Sequence, residues 1–141
     1  MVNRYLLDTC IWRDFYEDRF SKSGRSLGKY AAGLIINILK KGDIILFSNT
    51  LLYELKIKYY EEEISDMLAI FLMSKKLIKI KITKEEDSEA SIISKERNLP
   101  FTDCLNAILA RNHNAIMVTQ DNHYFNKLTD IVKSVRPQDI N

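Results

Sequence analysis

Four carboxylates stand beside short apolar runs, where an ionisable side chain is unusual. They are Asp8, Glu54, Asp103 and Asp121. A carboxylate next to buried positions is costly unless a positive group neutralises it, and no lysine or arginine adjoins any of these acids in the sequence. A divalent cation among converging acids would supply the missing charge, and such a centre is typical of phosphate chemistry.

The elements that must position these acids follow from the hydrophobic pattern. Short apolar runs, typical of buried strands, alternate with stretches in which apolar residues recur three and four positions apart, as in amphipathic helices. The runs cover Tyr5–Leu7, Ile44–Phe47, Leu77–Ile82, Ala115–Val118 and Ile131–Val135. This alternation predicts a three-layer α/β/α fold with a mainly parallel central sheet and helices on both faces.

In such a sheet, ligands bind where the strands end and the helices begin. Asp8 follows the first predicted strand, and Asp121 follows a later one. Asp103 falls in the first turn of the helix after Pro100, and Glu54 lies in the helix after the second strand. All four acids are therefore expected at one edge of the sheet.

Each acid also has a purely structural explanation. Asp8 and Asp121 could cap the helices that follow them, because Asp is a common N-cap residue. Asp103 could stabilise a helix start electrostatically, and Glu54 could be a solvated helical side chain. The shared edge favours a joint chemical role, and capping does not explain an acid inside a helix, as at Glu54.

Local signals predict where several elements begin and end. Gly42 should end one helix, and a capping box between Thr83 and Glu86 should begin another. Pro100 should separate that helix from the next, and Pro137 should end the last strand.

The segment from Leu51 to Leu77 carries more apolar residues than one helical face can bury. We expect two helices here, the second beginning at Glu61–Glu63, because acids are favoured in the first turn. The surplus apolar residues either pack these helices together and onto the sheet, or form a surface for a homodimer or a partner helix.

Length, composition and net charge indicate the number of domains, the cellular location and the surface charge. The 141 residues, 46% of them hydrophobic, predict one domain over residues 1–141. Two cysteines, an N-terminus without a signal-peptide pattern and apolar runs far below the ~20 residues of a membrane span indicate a cytoplasmic protein with no membrane association. A net charge of +2 excludes a strongly basic surface, although a basic rim can surround an acidic site.

Four motifs occur in order over almost the whole chain: L-L-D-T ending at Thr9, N-T-x-x-x-E-L from Asn49, F-T-D-C-L-N-A-I-L-A from Phe101, and V-T-x-D from Val118 ahead of a phenylalanine. Together they resemble the PIN-domain ribonucleases, and among these the VapC-type toxins of toxin–antitoxin pairs. The resemblance implies a PIN-like fold, RNA cleavage that depends on Mg²⁺ or Mn²⁺, a cognate antitoxin and a homodimer.

The same resemblance implies that Asp8, Glu54, Asp103 and Asp121 are the catalytic acids and metal ligands. Mg²⁺ and Mn²⁺ are hard cations that prefer carboxylate and water oxygens, so the chemistry agrees. We expect Asp8 and Asp103 to be the principal ligands. Glu54 and Asp121 would ligate directly or through water, unless Glu54 acts as a base, and the number of metal ions stays open.

Some neighbouring residues depart from the family pattern or add to it. Tyr124 stands where many relatives carry another acid, and His123 is also unusual, which bears on how a second metal would be held. Neither histidine shares zinc-site spacing with a cysteine, and Cys10 and Cys104 are interpreted as small buried residues.

Two polar residues could support the acids. Thr119 could hydrogen-bond a carboxylate and orient it. Asn106 lies three residues after Asp103, hence on the same helix face, where it could hold a water or a phosphate oxygen or be plain polar surface.

A basic segment that contains no acid provides a candidate RNA contact. Its cations are Arg19, Lys22, Arg25 and Lys29. Intervening glycines and serines predict a flexible loop. We expect these cations to contact RNA phosphates, in which case binding weakens as salt rises; the alternative is a merely soluble loop.

Other functions remain open at this point. A housekeeping RNA-processing nuclease would share the site of a toxin. A phosphoacceptor domain would need a pair of acids around its nucleophile, which the residues after Asp8 do not supply. A non-catalytic module would use the Leu51–Leu77 surface instead. If an antitoxin exists, we expect it to cover the acidic edge, with an arginine reaching the carboxylates.

Overall fold

A computed structural model describes residues 1–140 and contains a five-stranded sheet in which every neighbouring pair is parallel. The strands are β1 (Arg4–Leu7), β2 (Ile44–Phe47), β3 (Leu77–Lys79), β4 (Ile116–Val118) and β5 (Ser134–Val135). They lie in the order β3-β2-β1-β4-β5. The strand order therefore reverses between β1 and β4, which is the topological switch point where open α/β sheets bind ligands.

The helices complete the alternation that the hydrophobic pattern predicts. They are α1 (Thr9–Glu17), α2 (Leu27–Lys41), α3 (Asn49–Lys58), α4 (Glu61–Met73), α5 (Lys84–Arg97), α6 (Phe101–Asn112) and α7 (Asn122–Lys127), followed by a 3₁₀ turn at Pro137–Asp139. None of these helices is long and apolar enough to cross a membrane, within residues 1–140.

Side chains alternate across the sheet and build one apolar core on each face. On β1, Tyr5 and Leu7 join the core beneath α1, α2, α3 and α4, whereas Leu6 joins the core beneath α5, α6 and α7. This alternation is a property of extended strands. The predicted three-layer α/β/α fold is confirmed.

Most predicted boundaries are confirmed. Gly42 ends α2 with a φ of 72° in the left-handed region. Thr83 and Glu86 form the predicted capping box, with hydrogen bonds of 2.9 and 3.1 Å between each backbone N–H and the other's side-chain oxygen. Pro100 directly precedes α6, and Pro137 follows β5.

Two strands are shorter than the apolar runs that predicted them. β3 ends at Lys79, yet Ile80 remains buried. β5 contains only Ser134 and Val135, although Val132 is buried just before it. The difference arises because apolar runs report burial, while a strand also requires a ladder of backbone hydrogen bonds.

The prediction of two helices in the Leu51–Leu77 segment is confirmed, with Glu61–Glu63 in the first turn of α4. Phe71 anchors α4 because its ring is fully buried and packs edge-on against Trp12, with centroids 5.2 Å apart. Part of the surplus stays outside the core, since several apolar side chains of this segment are exposed: Tyr53, Ile57, Tyr60, Ile70, Leu72 and Met73.

Candidate metal centre

The end of β1 delivers Asp8 to the switch point. Its backbone N–H donates to the carbonyl of Val118 on β4 at 2.9 Å, which continues the pairing between the two strands. Its Oδ1 accepts from the N–H of Thr9 at 2.9 Å and caps α1. The capping explanation is therefore correct for Asp8, but it occupies one carboxylate oxygen and leaves Oδ2 directed elsewhere.

Thr119 connects two of the acids. It is fully buried just after β4, and its hydroxyl donates to Oδ2 of Asp8 at 2.7 Å. The Oγ1 atom of Thr119 in turn accepts from the backbone N–H of Asp121 at 2.9 Å. One hydroxyl thus orients a carboxylate on β1 and holds the turn that carries the next acid.

Glu54 reaches the same edge from α3. Its Oε1 accepts a hydrogen bond from the hydroxyl of Thr9 at 2.7 Å. Thr9 begins α1 directly after Asp8, so this contact ties Glu54 to the end of the central strand. Sequence reasoning missed Thr9, and its position next to the first acid was the only available signal.

Asp103 and Asp121 meet around an imidazole. Asp103 lies in the first turn of α6, and Asp121 caps α7 by accepting from the N–H of His123 at 2.9 Å. The ring atom Nδ1 of His123 lies 3.0 Å from Oδ2 of Asp103 and 3.4 Å from Oδ1 of Asp121. These side chains offer ligand atoms that all lie within 4.8 Å of one another, as a metal ion requires.

The electrostatics show an excess of negative charge at this edge. Burial raises the pKa of Asp8 to about 6; the Thr119 hydroxyl opposes the shift, and the carboxylates of Asp103 and Glu54 add to it. Burial likewise raises the pKa of Asp103, with His123 opposing and Asp121 contributing. Within residues 1–140, no lysine or arginine forms an ion pair with any of these acids.

Two hydroxyl- or thiol-bearing side chains lie under the acids. Sγ of Cys10 is 3.7 Å from Oδ2 of Asp8, and burial raises the pKa of this thiol far above its ordinary range, so it stays protonated. Tyr124 is fully buried on α7, and its hydroxyl has no hydrogen-bond partner within residues 1–140. Burial and then the charges of Asp8 and Asp103 raise the pKa of Tyr124; Asn106 opposes the shift but lies outside hydrogen-bond geometry.

The basic segment is more ordered than the predicted flexible loop. Arg19 donates to Oδ1 of the buried Asp14 at 2.8 Å and reaches the carbonyl of Cys10 at 3.5 Å. α2 begins at Leu27, so Lys29 is helical. The loop is shorter than predicted because helix α2 extends to within two residues of Arg25.

The donor set suits a divalent ion. Carboxylate oxygens are ligands for Mg²⁺ and Mn²⁺, and burial without a lysine or arginine partner within residues 1–140 leaves negative charge on Asp8 and Asp103 for an ion to balance. Asp103, Asp121 and His123 offer the converging ligand atoms. Asp8 and Glu54 lie at the same edge outside that group, and together these residues could hold the ion. Sequence reasoning noted His123 but not as a ligand, because it looked for pairs of histidine and cysteine.

The fold and this site define a class of protein: an α/β/α domain with an acidic centre where a parallel sheet reverses its strand order. Residues 5–130 match the PIN domain family, and the chain belongs to that family. PIN domains are nucleases and generally depend on divalent metals.

Solved structures share the fold at low sequence identity. VapBC-1 from nontypeable Haemophilus influenzae aligns with a TM-score of 0.64 and 18% identity over 96% of this chain and 98% of that chain. VapBC2 from Rickettsia felis, bound to a promoter DNA fragment, aligns with a TM-score of 0.63 and 20% identity over 94% and 98%. FitAcB from Neisseria gonorrhoeae gives 0.61 and 15% over 96% and 99%. No curated protein matches the chain.

Proposed function

We propose that this chain is a metal-dependent endoribonuclease that hydrolyses RNA phosphodiester bonds as the toxin of a type II toxin–antitoxin pair. The observation that carries the proposal is the meeting of the predicted acids at one sheet edge without a lysine or arginine partner within residues 1–140. Membership in a nuclease family supports the reaction class. The fold shared with the VapBC structures and with a toxin–antitoxin complex from Klebsiella pneumoniae supports the toxin role.

Asp8 and Asp103 are the proposed principal ligands of a Mg²⁺ or Mn²⁺ ion. Both are buried, and the pKa of each is raised by burial and by neighbouring acids, so an ion that binds between them recovers the cost of keeping them charged. Asp121 and Glu54 complete the set directly or through water.

A bound divalent ion would supply a more acidic water and would stabilise charge on the phosphate oxygens. The protein contributes orientation. Thr119 holds Oδ2 of Asp8 and the backbone that carries Asp121. Thr9 occupies only Oε1 of Glu54, which leaves Oε2 to accept a proton from the attacking water.

RNA would approach along the basic segment. Lys22, Arg25 and Lys29 are exposed, and no acidic side chain within residues 1–140 pairs with them. Arg19 is hydrogen-bonded to Asp14 and lies beside the first turn of α1. We therefore assign most of the phosphate contact to Lys22, Arg25 and Lys29. The role of all four cations in RNA binding stays a prediction.

Partners of two kinds are part of the proposal. A cognate antitoxin would cover the acidic edge and place an arginine against the carboxylates. The exposed apolar residues of α3 and α4, such as Ile57 and Met73, provide a surface for a homodimer. We expect the protein to act in the cytoplasm, where it would meet cellular RNA.

The experiment is cleavage of a mixed RNA substrate by purified protein in Mg²⁺ or Mn²⁺. We expect cleavage that EDTA abolishes and that Asp103→Asn reduces by about three orders of magnitude or more, because a principal ligand is lost. Asp66→Asn, which removes an exposed acid of α4, is the matched control and should cleave like the wild type. Cleavage that persists in EDTA or in Asp103→Asn would contradict the proposal.

The toxin role has its own test. Expression of the chain should arrest growth, and co-expression of an antitoxin encoded by the adjacent gene should restore it. Normal growth during expression, combined with RNA cleavage in vitro and no adjacent antitoxin gene, would identify a housekeeping RNA-processing nuclease instead.

A further inference from the structure

His123 occupies an unusual position inside the acidic centre. Its Nδ1 faces Oδ2 of Asp103 at 3.0 Å and Oδ1 of Asp121 at 3.4 Å, although Asp103 lies on a different helix. Two ligands in adjacent positions around a divalent ion, each about 2.1 Å from it, stand about 3 Å apart. The spacing of nitrogen and oxygen here is therefore that of neighbouring ligands as well as that of a hydrogen bond.

The backbone fixes the imidazole in this place. The N–H of His123 donates to Oδ1 of Asp121 at 2.9 Å in the cap of α7. The cap fixes the backbone of the first turn of α7, from which the imidazole extends. The His123 side chain is 41% exposed, compared with 12% for Asp103. Because solvent reaches this side chain, Nε2 could carry the hydrogen when an ion is bound, and Nδ1 would then offer its lone pair to the ion.

A second, independent feature points to a ligand at the same place. The hydroxyl of Tyr124 is fully buried beneath the acids and has no hydrogen-bond partner within residues 1–140. A buried polar group without a partner is destabilising, because it has lost its hydrogen bonds to water. Because the hydroxyl lies within electrostatic reach of Asp8 and Asp103, a water or ion held by those carboxylates would give it a partner.

Nitrogen and oxygen donors select different ions. Mg²⁺ prefers oxygen ligands alone, whereas an imidazole favours first-row transition ions, whose affinities rise from Mn²⁺ towards Co²⁺ and beyond. We propose that His123 is a nitrogen ligand of the metal centre and makes it bind Mn²⁺ and Co²⁺ in preference to Mg²⁺. This inference rests on the proposed function, since both require a divalent ion bound by Asp103.

A competing role for His123 makes the opposite prediction. A ring that only neutralises the carboxylates must leave when an ion enters, so its removal would strengthen the binding of every divalent cation. A ring that ligates contributes one bond to the ion, so its removal weakens binding, and most strongly for the ions that favour nitrogen.

The test is calorimetric titration of metal-free protein with Mn²⁺, Co²⁺ and Mg²⁺ in turn. His123→Asn places an amide oxygen near the position of Nδ1, and His113→Asn, at the far end of α6, is the matched control because the chain has two histidines. We expect His123→Asn to lose about tenfold or more in affinity for Mn²⁺ and Co²⁺ and to keep most of its affinity for Mg²⁺. The control should titrate like the wild type.

Spin-echo measurements on Mn²⁺-loaded wild-type protein supply a readout that needs no variant. Nuclear modulation from an imidazole nitrogen should be present in the wild type and in His113→Asn, and absent in His123→Asn. No nitrogen modulation in the wild type, or tighter binding of all ions by His123→Asn, would overturn the inference. Failure of the wild type to bind any of the three ions would overturn the metal centre and with it the proposed nuclease, whereas normal metal-dependent cleavage with unchanged selectivity in His123→Asn would reject only the role of His123.

Discussion

Acidic side chains behave oppositely in two regions of this molecule. At the edge where β1 and β4 end, burial raises the pKa of Asp8 and Asp103, and neighbouring acids add to the effect. At the protein periphery, the partly exposed acids Glu89 and Asp130 have their pKa values lowered by hydrogen bonds from Arg111 and Arg97, respectively. The peripheral acids are satisfied by the fold itself.

The contrast indicates which carboxylates are suited to bind a metal ion. A carboxylate that already has a guanidinium 2.7 Å away, as Glu89 has, gains little from a metal ion. Asp8 accepts hydrogen bonds from the Thr119 hydroxyl and the Thr9 N–H and lies beside the Cys10 thiol, but no lysine or arginine within residues 1–140 pairs with it. Burying the charged form of Asp8 without a cation destabilises the folded protein, and a bound metal ion would offset this destabilisation.

The largest expected effect that separates the two regions is on stability of the metal-free protein. The pKa of Asp8 is raised from 3.8 to about 6, so the folded state holds this proton more tightly than the unfolded chain. Tighter proton binding by Asp8 therefore stabilises the folded protein fully below pH 3.8. This stabilisation, up to about 3 kcal/mol in the free energy of unfolding, is lost as the pH rises through about 6.

The substitution Asp8→Asn should remove this pH-dependent penalty. In EDTA at pH 7, we expect the variant to unfold at higher urea concentration than the wild type, while RNA cleavage is lost. Asn also caps helices well, so the start of α1 is kept. Equal stability of the two proteins at pH 7, measured by urea unfolding at several pH values, would show that Asp8 is not strained in the folded state.

The next largest effect is expected from a substitution of Thr119, whose hydroxyl contacts the acidic edge and not the peripheral acids. Thr119→Val keeps the shape but removes the hydroxyl between Asp8 and the N–H of Asp121. We expect a loss of about 1–3 kcal/mol in stability and a 10- to 100-fold loss in metal affinity. Thr119→Ser keeps the hydroxyl and is the control. Wild-type metal affinity in Thr119→Val would remove Thr119 from the site.

A smaller effect is expected from the basic segment near that edge. Replacing Lys22, Arg25 and Lys29 by Ser should reduce the slope of log affinity against log salt for single-stranded RNA by about 2, since each phosphate contact contributes about 0.7. The folded stability should not change, because these side chains form no ion pair within residues 1–140. A slope equal to that of the wild type would reject the RNA contact.

The smallest effect belongs to the peripheral region. Glu89→Gln breaks the pair with Arg111, whose side chains are 39% and 37% exposed. Exposed pairs contribute about 0–1 kcal/mol, and we expect a change within that range and unaltered RNA cleavage. A loss of metal affinity in this variant would mean that the two regions are coupled, which the contrast between them does not anticipate.

Short-range signals predicted much of this fold because their partners are neighbours in sequence. The capping box of Thr83 and Glu86 spans three residues, and Gly42 supplies its own left-handed conformation. The alternation of apolar runs and helical periods was enough for the layers and for the edge at which Asp8 and Asp121 would lie. The structural cap interpretation for these two acids was correct as well, since Oδ1 of Asp8 caps α1 and Oδ1 of Asp121 caps α7. Capping leaves Oδ2 of Asp8 to accept from Thr119, whereas Oδ1 of Asp121 also lies 3.4 Å from Nδ1 of His123.

Tertiary packing decided which side chains touch. His123 meets Asp103 only because α7 packs beside α6, and a contact across 20 residues leaves no periodic trace in the sequence. The same holds for the hydroxyl of Tyr124, whose burial depends on the core beneath α6.

The amino-acid sequence by itself determined the order of strands and helices, most of their ends and the edge that collects the acids, since capping signals and the periodicity of apolar residues are local. Only the packed chain decided that an imidazole lies among the carboxylates and that Arg19 turns back to Asp14. Those contacts depend on distances between elements, which the summed packing of both cores sets and which no single motif encodes.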